Sequence, residues 1–318
     1  MKKIVSLAIA SAMVLLAMTG CSSNGSSSAP AASNTGSSVS AGSSASADSS
    51  VQTTDFNANH EISIISREEG SGTRGAFIEL FGIEEKDADG NKVDKTTEEA
   101  TITDKTSVML TTVSGNEYAI GYVSLGSLNN TVKALKVDGA EATAENIKAG
   151  TYKISRPFNI ATKGEATGLS KDFIDYIMSA EGQAIVNDNG YISVSDNASA
   201  FSGTKPEGKI LVSGSSSVTP VMQKLAEAYM KINTGATIDV QQTDSSNGMK
   251  DAIAGNCDIG MASRELKESE SAELTSMSIA IDGVAVIVNP ANTLDDISSE
   301  QVKSIYVGET TAWDAIVK

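Results

Sequence analysis

The chain has 318 residues, with 24 Lys and Arg against 40 Asp and Glu, one His and two Cys, and a net charge of −16. Such an excess of acid excludes a nucleic-acid backbone as the main partner. A single histidine, without any Cys/His cluster, leaves little material for a metal site or a His-based catalytic triad.

The first 20 residues read as a signal peptide: Lys2 and Lys3, an apolar run at 4–18, then small residues ending at Gly20-Cys21. The run is short for a comfortable membrane span. Ala17-Met18-Thr19-Gly20-Cys21 resembles a bacterial lipobox, with Met18 where Leu is usual, so Cys21 is expected to carry lipid. That leaves Cys257 without a disulfide partner. Residues 21–59, rich in Ser, Ala and Gly, bury too little apolar surface to offset chain entropy and are expected to form a tether. His60 is expected to be an exposed linker residue. Loss of Lys2 and Lys3 with the leader leaves 22 basic against 40 acidic residues, a charge of −18.

From residue 60 onward, strand and helix patterns alternate, the mark of an α/β fold. Strands are predicted at 62–66, 119–124, 134–137, 160–162, 209–213, 237–241, 259–262 and 284–288. Helices are predicted at 74–80, 107–114, 144–149, 169–178, 181–187, 221–232, 246–254 and 299–306. Turns fall at Gly115-Asn116, Asp138-Gly139 and 233–235. The Glu-rich stretch at 265–273 reads as a solvated helix face, and Tyr118 and Tyr122 fit a packed strand.

Two Ser-rich glycine turns stand out, each between a predicted strand and a predicted helix. They are Ser66-Arg67-Glu68-Glu69-Gly70-Ser71-Gly72-Thr73-Arg74 and Ser213-Gly214-Ser215-Ser216-Ser217-Val218-Thr219-Pro220. A helix N-terminus offers unpaired N–H groups and the positive end of its dipole, so it favours an anion. Glycine lets the backbone approach the ligand closely, and Ser/Thr hydroxyls add donors. Arg67 supplies a fork suited to an oxyanion. The Lys-Ser/Thr of a nucleotide loop is missing, which argues against ATP. The net negative charge repels an anion only within a Debye length of about 8 Å, whereas a buried site acts at contact.

Three segments then carry a resemblance: Gly214 to Pro220, Asp258-Ile259-Gly260-Met261-Ala262-Ser263-Arg264-Glu265-Leu266, and Asp282-Gly283-Val284-Ala285-Val286-Ile287-Val288-Asn289-Pro290. Ser66 to Arg74, Ala119-Ile120-Gly121-Tyr122-Val123-Ser124-Leu125, Arg156-Pro157-Phe158 and Ser179-Ala180-Glu181-Gly182-Gln183 extend it. On these residues the chain resembles the phosphate-binding lipoproteins of bacterial high-affinity phosphate ABC transporters. The resemblance implies a two-lobed α/β fold of the periplasmic-binding-protein kind, with a hinge and an interlobe cleft. It also implies a non-enzymatic monomer, without metal or cofactor, that binds inorganic phosphate outside the membrane and delivers it to a permease driven by an ATPase.

The order of segments departs from that family, in which the part resembling 209–318 precedes the part resembling 62–192. The chain therefore resembles a circular permutation. Lys318 would then lie near Glu61, and residues 195–208 would join the family's usual ends as a surface loop. A truncated or misassembled tandem gene, or two chains exchanging halves, would give the same order. By the family's hinge crossings, one lobe comprises 60–151 with 284–318 and the other 152–283.

Carried over by motif, the phosphate ligands are Arg67, Ser71, Gly72 and Thr73 from the first turn and Ser217, Val218 and Thr219 from the second. Ser245, in Asp244-Ser245-Ser246-Asn247-Gly248, and Ser263 complete the set. Glu69 could orient the Arg67 fork and Arg264 could add positive potential; Glu68 or Glu69 could instead accept a phosphate proton. Ser263 stands where some members of the family place an aspartate, and a hydroxyl does not penalise a fully ionised anion as a carboxylate does. A receptor for sulfate, molybdate or a phosphate ester is the alternative, as is a scavenging or signalling lipoprotein without a transporter. Trp313 is expected to pack in the core or on the lobe surface.

Overall fold

The computed structural model describes residues 56–317. The leader, Cys21 and residues 21–55 of the expected tether lie outside the described residues. The tether assignment ends too late, because Phe56 already packs against Tyr118 and Trp313 at ring-centroid distances of 5.6 and 6.0 Å.

In chain order the first part holds β1 (Ser63–Arg67), α1 (Gly72–Leu80), the hairpin β2 (Glu84–Lys86) and β3 (Lys92–Asp94), β4 (Thr101–Thr103), α2 (Thr106–Ser114) and β5 (Ala119–Ser124). Next come β6 (Lys133–Ala134), β7 (Lys136–Val137), α3 (Ala144–Lys148), β8 (Ser155–Thr162), α4 (Gly168–Ile177) and α5 (Ala180–Asp188). The remainder holds β9 (Gly208–Ser215), α6 (Thr219–Ile232), β10 (Ala236–Thr243), α7 (Ser245–Ala254), β11 (Ile259–Ala262), α8 (Glu268–Ser271), β12 (Thr275–Val288), β13 (Asp296–Ile297) and α9 (Ser299–Tyr306).

The main sheet runs β10-β9-β11-β8-β12-β5-β1-β4, with β6 paired to β12 off this path. β9 lies parallel to β10 and β11, and β1 parallel to β4 and β5, whereas β12 is antiparallel to its neighbours. β12 serves two partners: residues through Gly283 pair with β8, and from Val284 they pair with β5. The expected strand at 284–288 is thus only its second half. Its first half alternates polar with apolar residues and lacks a continuous apolar signal.

Two large apolar clusters flank this change of partner. One gathers residues of β8, β9, β11, α4, α5 and α6; the other gathers residues of β1, β5, α1, α9 and the second half of β12, with Trp313 fully buried. α6 shows why its segment forms a helix: Pro220 lies in its first turn, and Val221, Met222, Leu225, Ala226 and Tyr229 make one buried face. Each such large side chain contributes roughly 1.5–3 kcal/mol by leaving water.

The expected strand at 134–137 is two short strands, β6 and β7, which pair with different partners. The Glu-rich stretch holds only the four-residue α8, and Glu270 within it is buried rather than solvated. Near the two ends of the described chain, Glu61 bridges Ala312, the Ile62 N–H donates to Thr311 O at 2.7 Å, and the Trp313 N–H to His60 O at 3.1 Å, while Lys318, expected near Glu61, lies outside the described residues. His60 is exposed but not a bare linker residue, since its ring stacks on Tyr118 at 4.2 Å. Residues 195–208 run largely exposed and are fastened by Asp172. Its carboxylate accepts from the Thr204 and Lys205 N–H groups and from the Tyr229 hydroxyl at 2.7, 3.2 and 2.7 Å.

Candidate functional site

Four helices begin at one place. Thr73 in the first turn of α1 has its Oγ1 2.7 Å from Ser217 Oγ, just before α6. Thr106, the first residue of α2, has its Oγ1 3.2 Å from Ser216 Oγ and 3.4 Å from Ser217 Oγ. Ser245 opens α7, with its Oγ 3.4 Å from Ser263 Oγ and accepting the Ser263 N–H at 3.1 Å. Ser215 donates to Ser263 Oγ at 2.9 Å. Gly72 closes the ring, because a Cβ there would overlap the hydroxyls of Ser245 and Ser263. The second turn needs its glycine too: Gly214 has φ 142°, and a side chain there would strike the Met261 backbone.

Arg67, at the end of β1, is 2% exposed and is the guanidinium that meets a hydroxyl of this cluster. Its Nη2 donates to Ser216 Oγ at 3.0 Å, while Nε and Nη2 donate to the Glu68 carboxylate at 2.8 Å each. Glu68, not Glu69, therefore orients the fork. The Glu68 N–H is tied to Thr103 O at 3.0 Å, whereas Glu69 is exposed. Burial pushes the Glu68 carboxyl above its ordinary range, the Arg67 hydrogen bond and charge draw it back, and the Asp244 charge adds to the rise.

Tyr122 holds the turn from behind. Its hydroxyl accepts the Arg67 N–H at 3.1 Å and shares a hydrogen bond with Ser66 Oγ, 2.9 Å away. Burial pushes its pKa up to about 12, so it stays neutral. The Arg67 carbonyl in turn accepts from Arg74 Nη1 at 2.7 Å, and Arg74 Nε is paired with Asp94 at 2.8 Å.

Of the residues expected from sequence, Arg67, Gly72, Thr73, Ser217, Ser245 and Ser263 meet here. Ser71 is the N-cap of α1, its Oγ accepting the Arg74 N–H at 3.3 Å. Val218 and Thr219 are tied to their own turn: the Val218 N–H and the Thr219 hydroxyl both donate to Ser215 O, at 3.1 and 2.9 Å. Arg264 is spent mainly on Glu270, with contacts of 2.7 and 2.8 Å, so its charge is matched rather than offered to the cluster. Sequence reasoning passed over Ser215 and Ser216, which lie in the same turn, and Thr106, whose partners are more than a hundred positions away. It also gave Tyr122 no part.

A ring of rotatable hydroxyls, helix N-termini each carrying about half a positive charge, and one oriented guanidinium make a receptor for a small oxyanion. Among the described residues, no group of three or more His, Cys, Asp or Glu is placed to hold a metal, and no helix is long and apolar enough to cross a membrane.

Fold and site together define a class: an α/β binding protein whose chain passes twice between two packed regions. The model of the PBP superfamily domain matches residues 34–181 and 199–317. The phosphate-binding protein PstS 2 of Streptococcus agalactiae serotype V is 58% identical over 259 residues, 81% of this chain and 88% of that protein. The crystal structure of a phosphate ABC transporter phosphate-binding protein from Streptococcus pneumoniae TIGR4 is 44% identical. It covers 81% of this chain and all of its own, with a TM-score of 0.66. The phosphate-binding protein PstS of Bacillus subtilis strain 168 is 36% identical over 142 residues, 43% of each chain. The chain belongs to this family of phosphate-binding proteins within the PBP superfamily.

Proposed function

We propose that this chain binds inorganic phosphate outside the cell membrane and hands it to an ABC permease driven by an ATPase, without covalent chemistry. The observation that carries the reading is Arg67, oriented by Glu68 and aimed at a buried hydroxyl ring where four helices start. Arg67, Gly72, Thr73, Ser217, Ser245 and Ser263, joined by Thr106, Ser215 and Ser216, form the phosphate shell, and Ser71 caps the helix that presents Gly72 and Thr73. Charge-assisted hydrogen bonds contribute roughly 1.5–3 kcal/mol each. Micromolar affinity needs about 8 kcal/mol, so a handful suffices.

The shell draws on two lobes, 60–151 with 284–318 and 152–283, that close by a hinge where Ile154 and Val284 lie side by side. Their order is a circular permutation of the order in relatives such as the Bacillus protein. The meeting of the chain ends at Glu61 and Ala312 supports this, as does a match that spans most of the streptococcal protein but less than half of the Bacillus one. The chain acts as a monomer, held to the membrane by lipid on Cys21 after removal of the signal peptide.

One observation favours a second reading, a receptor for sulfate or another tetrahedral oxyanion. Ser263 offers a hydroxyl where a carboxylate would reject an anion that has no proton to give. Calorimetric titration with phosphate and then sulfate, with mass checked by light scattering, separates the two. Saturable phosphate binding by a monomer, lost in Arg67→Ala, is the expected result. Equal or tighter binding of sulfate overturns the phosphate assignment, and binding only by a dimer overturns the closed single-chain lobes.

A further inference from the structure

The second fully buried guanidinium of the fold lies at the strand crossing. Arg156 is the second residue of β8 and Asp282 stands directly opposite it on β12, one residue before β12 makes its last pair with β8. Arg156 Nη2 and Nε meet Asp282 Oδ2 at 2.9 and 3.1 Å, and both side chains are out of water. Each partner is also hydrogen-bonded beyond the pair, and two of these bonds run in opposite directions. Arg156 Nη1 donates to the carbonyl of Ser263 at 3.1 Å. Asp282 Oδ1 accepts from Ser124 Oγ, at the end of β5, at 2.8 Å.

Desolvation works against what the pair gains by its own attraction. Burial pushes Asp282 up and Arg156 down, each toward its neutral form, against the pull of the partner's charge. A buried pair of this kind is often matched in stability by apolar side chains of similar volume. Its value must then lie in what it positions. Ser263 is bound at its carbonyl by Arg156, at its N–H by Ser245, and at its hydroxyl by Ser215. The Arg156 bond is the one that reaches Ser263 from the crossing.

We propose that Arg156 and Asp282 are positioning residues that lock the strand crossing to the binding shell, so that the placement of Ser263 and the relative setting of β8 and β5 change together. The inference rests on the proposed reading of two lobes closing over phosphate. Neither side chain bonds a hydroxyl of the binding shell; Arg156 meets only the Ser263 carbonyl there. The chain Ser124–Asp282–Arg156–Ser263 links a strand of one lobe to the shell wall of the other through the two peptide segments that join them. Such a link is a two-sided constraint: opening at the crossing disturbs Ser263, and an anion that fixes Ser263 favours the closed crossing.

The test uses the full chain in four forms: parent, Arg156→Met, Asp282→Leu and the double variant. Thermal unfolding, calorimetric titration with inorganic phosphate, and the distance between spin labels at Glu300→Cys and Lys231→Cys, in a Cys21→Ser and Cys257→Ala background, are measured for each. Each single variant is expected to unfold earlier, because it leaves one charge buried alone. The double variant is expected to recover the parent's melting temperature, yet bind phosphate about tenfold more weakly and show a broader label distance at saturation. A double variant with both the parent's affinity and the parent's distance overturns the proposal, since the pair would then only fill space. Should the double variant fail to fold, Arg156→Lys keeps the charge and removes the fork; parent-like affinity in that variant overturns the proposal equally. If the parent itself binds no phosphate, the binding assignment fails, and the label distance alone decides: broadening in the double variant supports the lock, and an unchanged distance rejects it.

Discussion

Arg67 and Arg156 are both buried guanidiniums paired with carboxylates, yet their surroundings differ in kind. Arg67 leans on Glu68, whose side chain is 21% exposed, and its remaining contact is a serine hydroxyl that rotates. Arg156 leans on Asp282, which water does not reach, and its other hydrogen bond goes to a backbone carbonyl that cannot turn away. The first arrangement exchanges partners at small cost, as a group that receives a ligand must. The second does not exchange, as suits a strut. Burial of an arginine alone therefore does not mark a binding residue; the mobility of what it touches does.

The largest effect that could break this comparison is on stability. Asp282→Ala leaves Arg156 buried without a counter-charge and is expected to cost about 3–5 kcal/mol in denaturant unfolding. Glu68→Ala removes a carboxylate that is itself 21% exposed and leaves Arg67 its bond to Ser216, and is expected to cost less, about 1–2 kcal/mol. Equal costs would erase the distinction. The next effect is on binding: Arg67→Ala is expected to weaken phosphate about a hundredfold while the melting temperature changes little. Tyr122→Phe is expected to weaken it about fivefold, because the Arg67 N–H loses its acceptor and the turn loosens. A Tyr122→Phe variant with unaltered affinity would mean that the turn is held without the tyrosine.

The receiving arginine was legible in the sequence and the strut was not, for physical reasons. Gly70 to Thr73 follow an apolar strand pattern and precede a helical one, so a helix start beside Arg67 could be read locally. The same grammar exposed the turn that holds Ser217, whereas Ser245 came only through the resemblance. Asp282 sits at the polar end of a run whose apolar signal begins only at Val284, which hides both the length of β12 and its change of partner. Arg156 entered only through the resemblance of Arg156-Pro157-Phe158, with no role attached. Glu68 and Glu69 are neighbours of identical chemistry, and only the bond from the Glu68 N–H to Thr103 O decides which one turns inward. Thr106 takes its place because β1 pairs with β4, a register that no local pattern encodes.

A third pair sharpens the comparison through pH. Arg264 and Glu270 meet at 2.7 Å with side chains 11% and 10% exposed, between the other two in burial. Burial pushes Glu270 up, but the Arg264 hydrogen bond, the Lys267 N–H and both cations outweigh it, so its carboxyl titrates below the ordinary range. Glu270 therefore contributes stability that is complete above its unfolded pKa and is lost as pH falls through its folded one. Glu68, raised by burial, has the opposite sign: its contribution is complete below its unfolded pKa and is lost as pH rises through the folded one. Unfolding free energies measured between about pH 3 and 7 for Glu270→Gln and Glu68→Gln separate the two. The first variant is expected to lose part of the parent's acid sensitivity, by about 1 kcal/mol, and the second to become more acid-sensitive by a smaller amount. The same sign in both would mean that the attraction of Arg67 outweighs burial at Glu68, and that the receiving arginine is held by its carboxylate more tightly than a ligand-exchanging group should be.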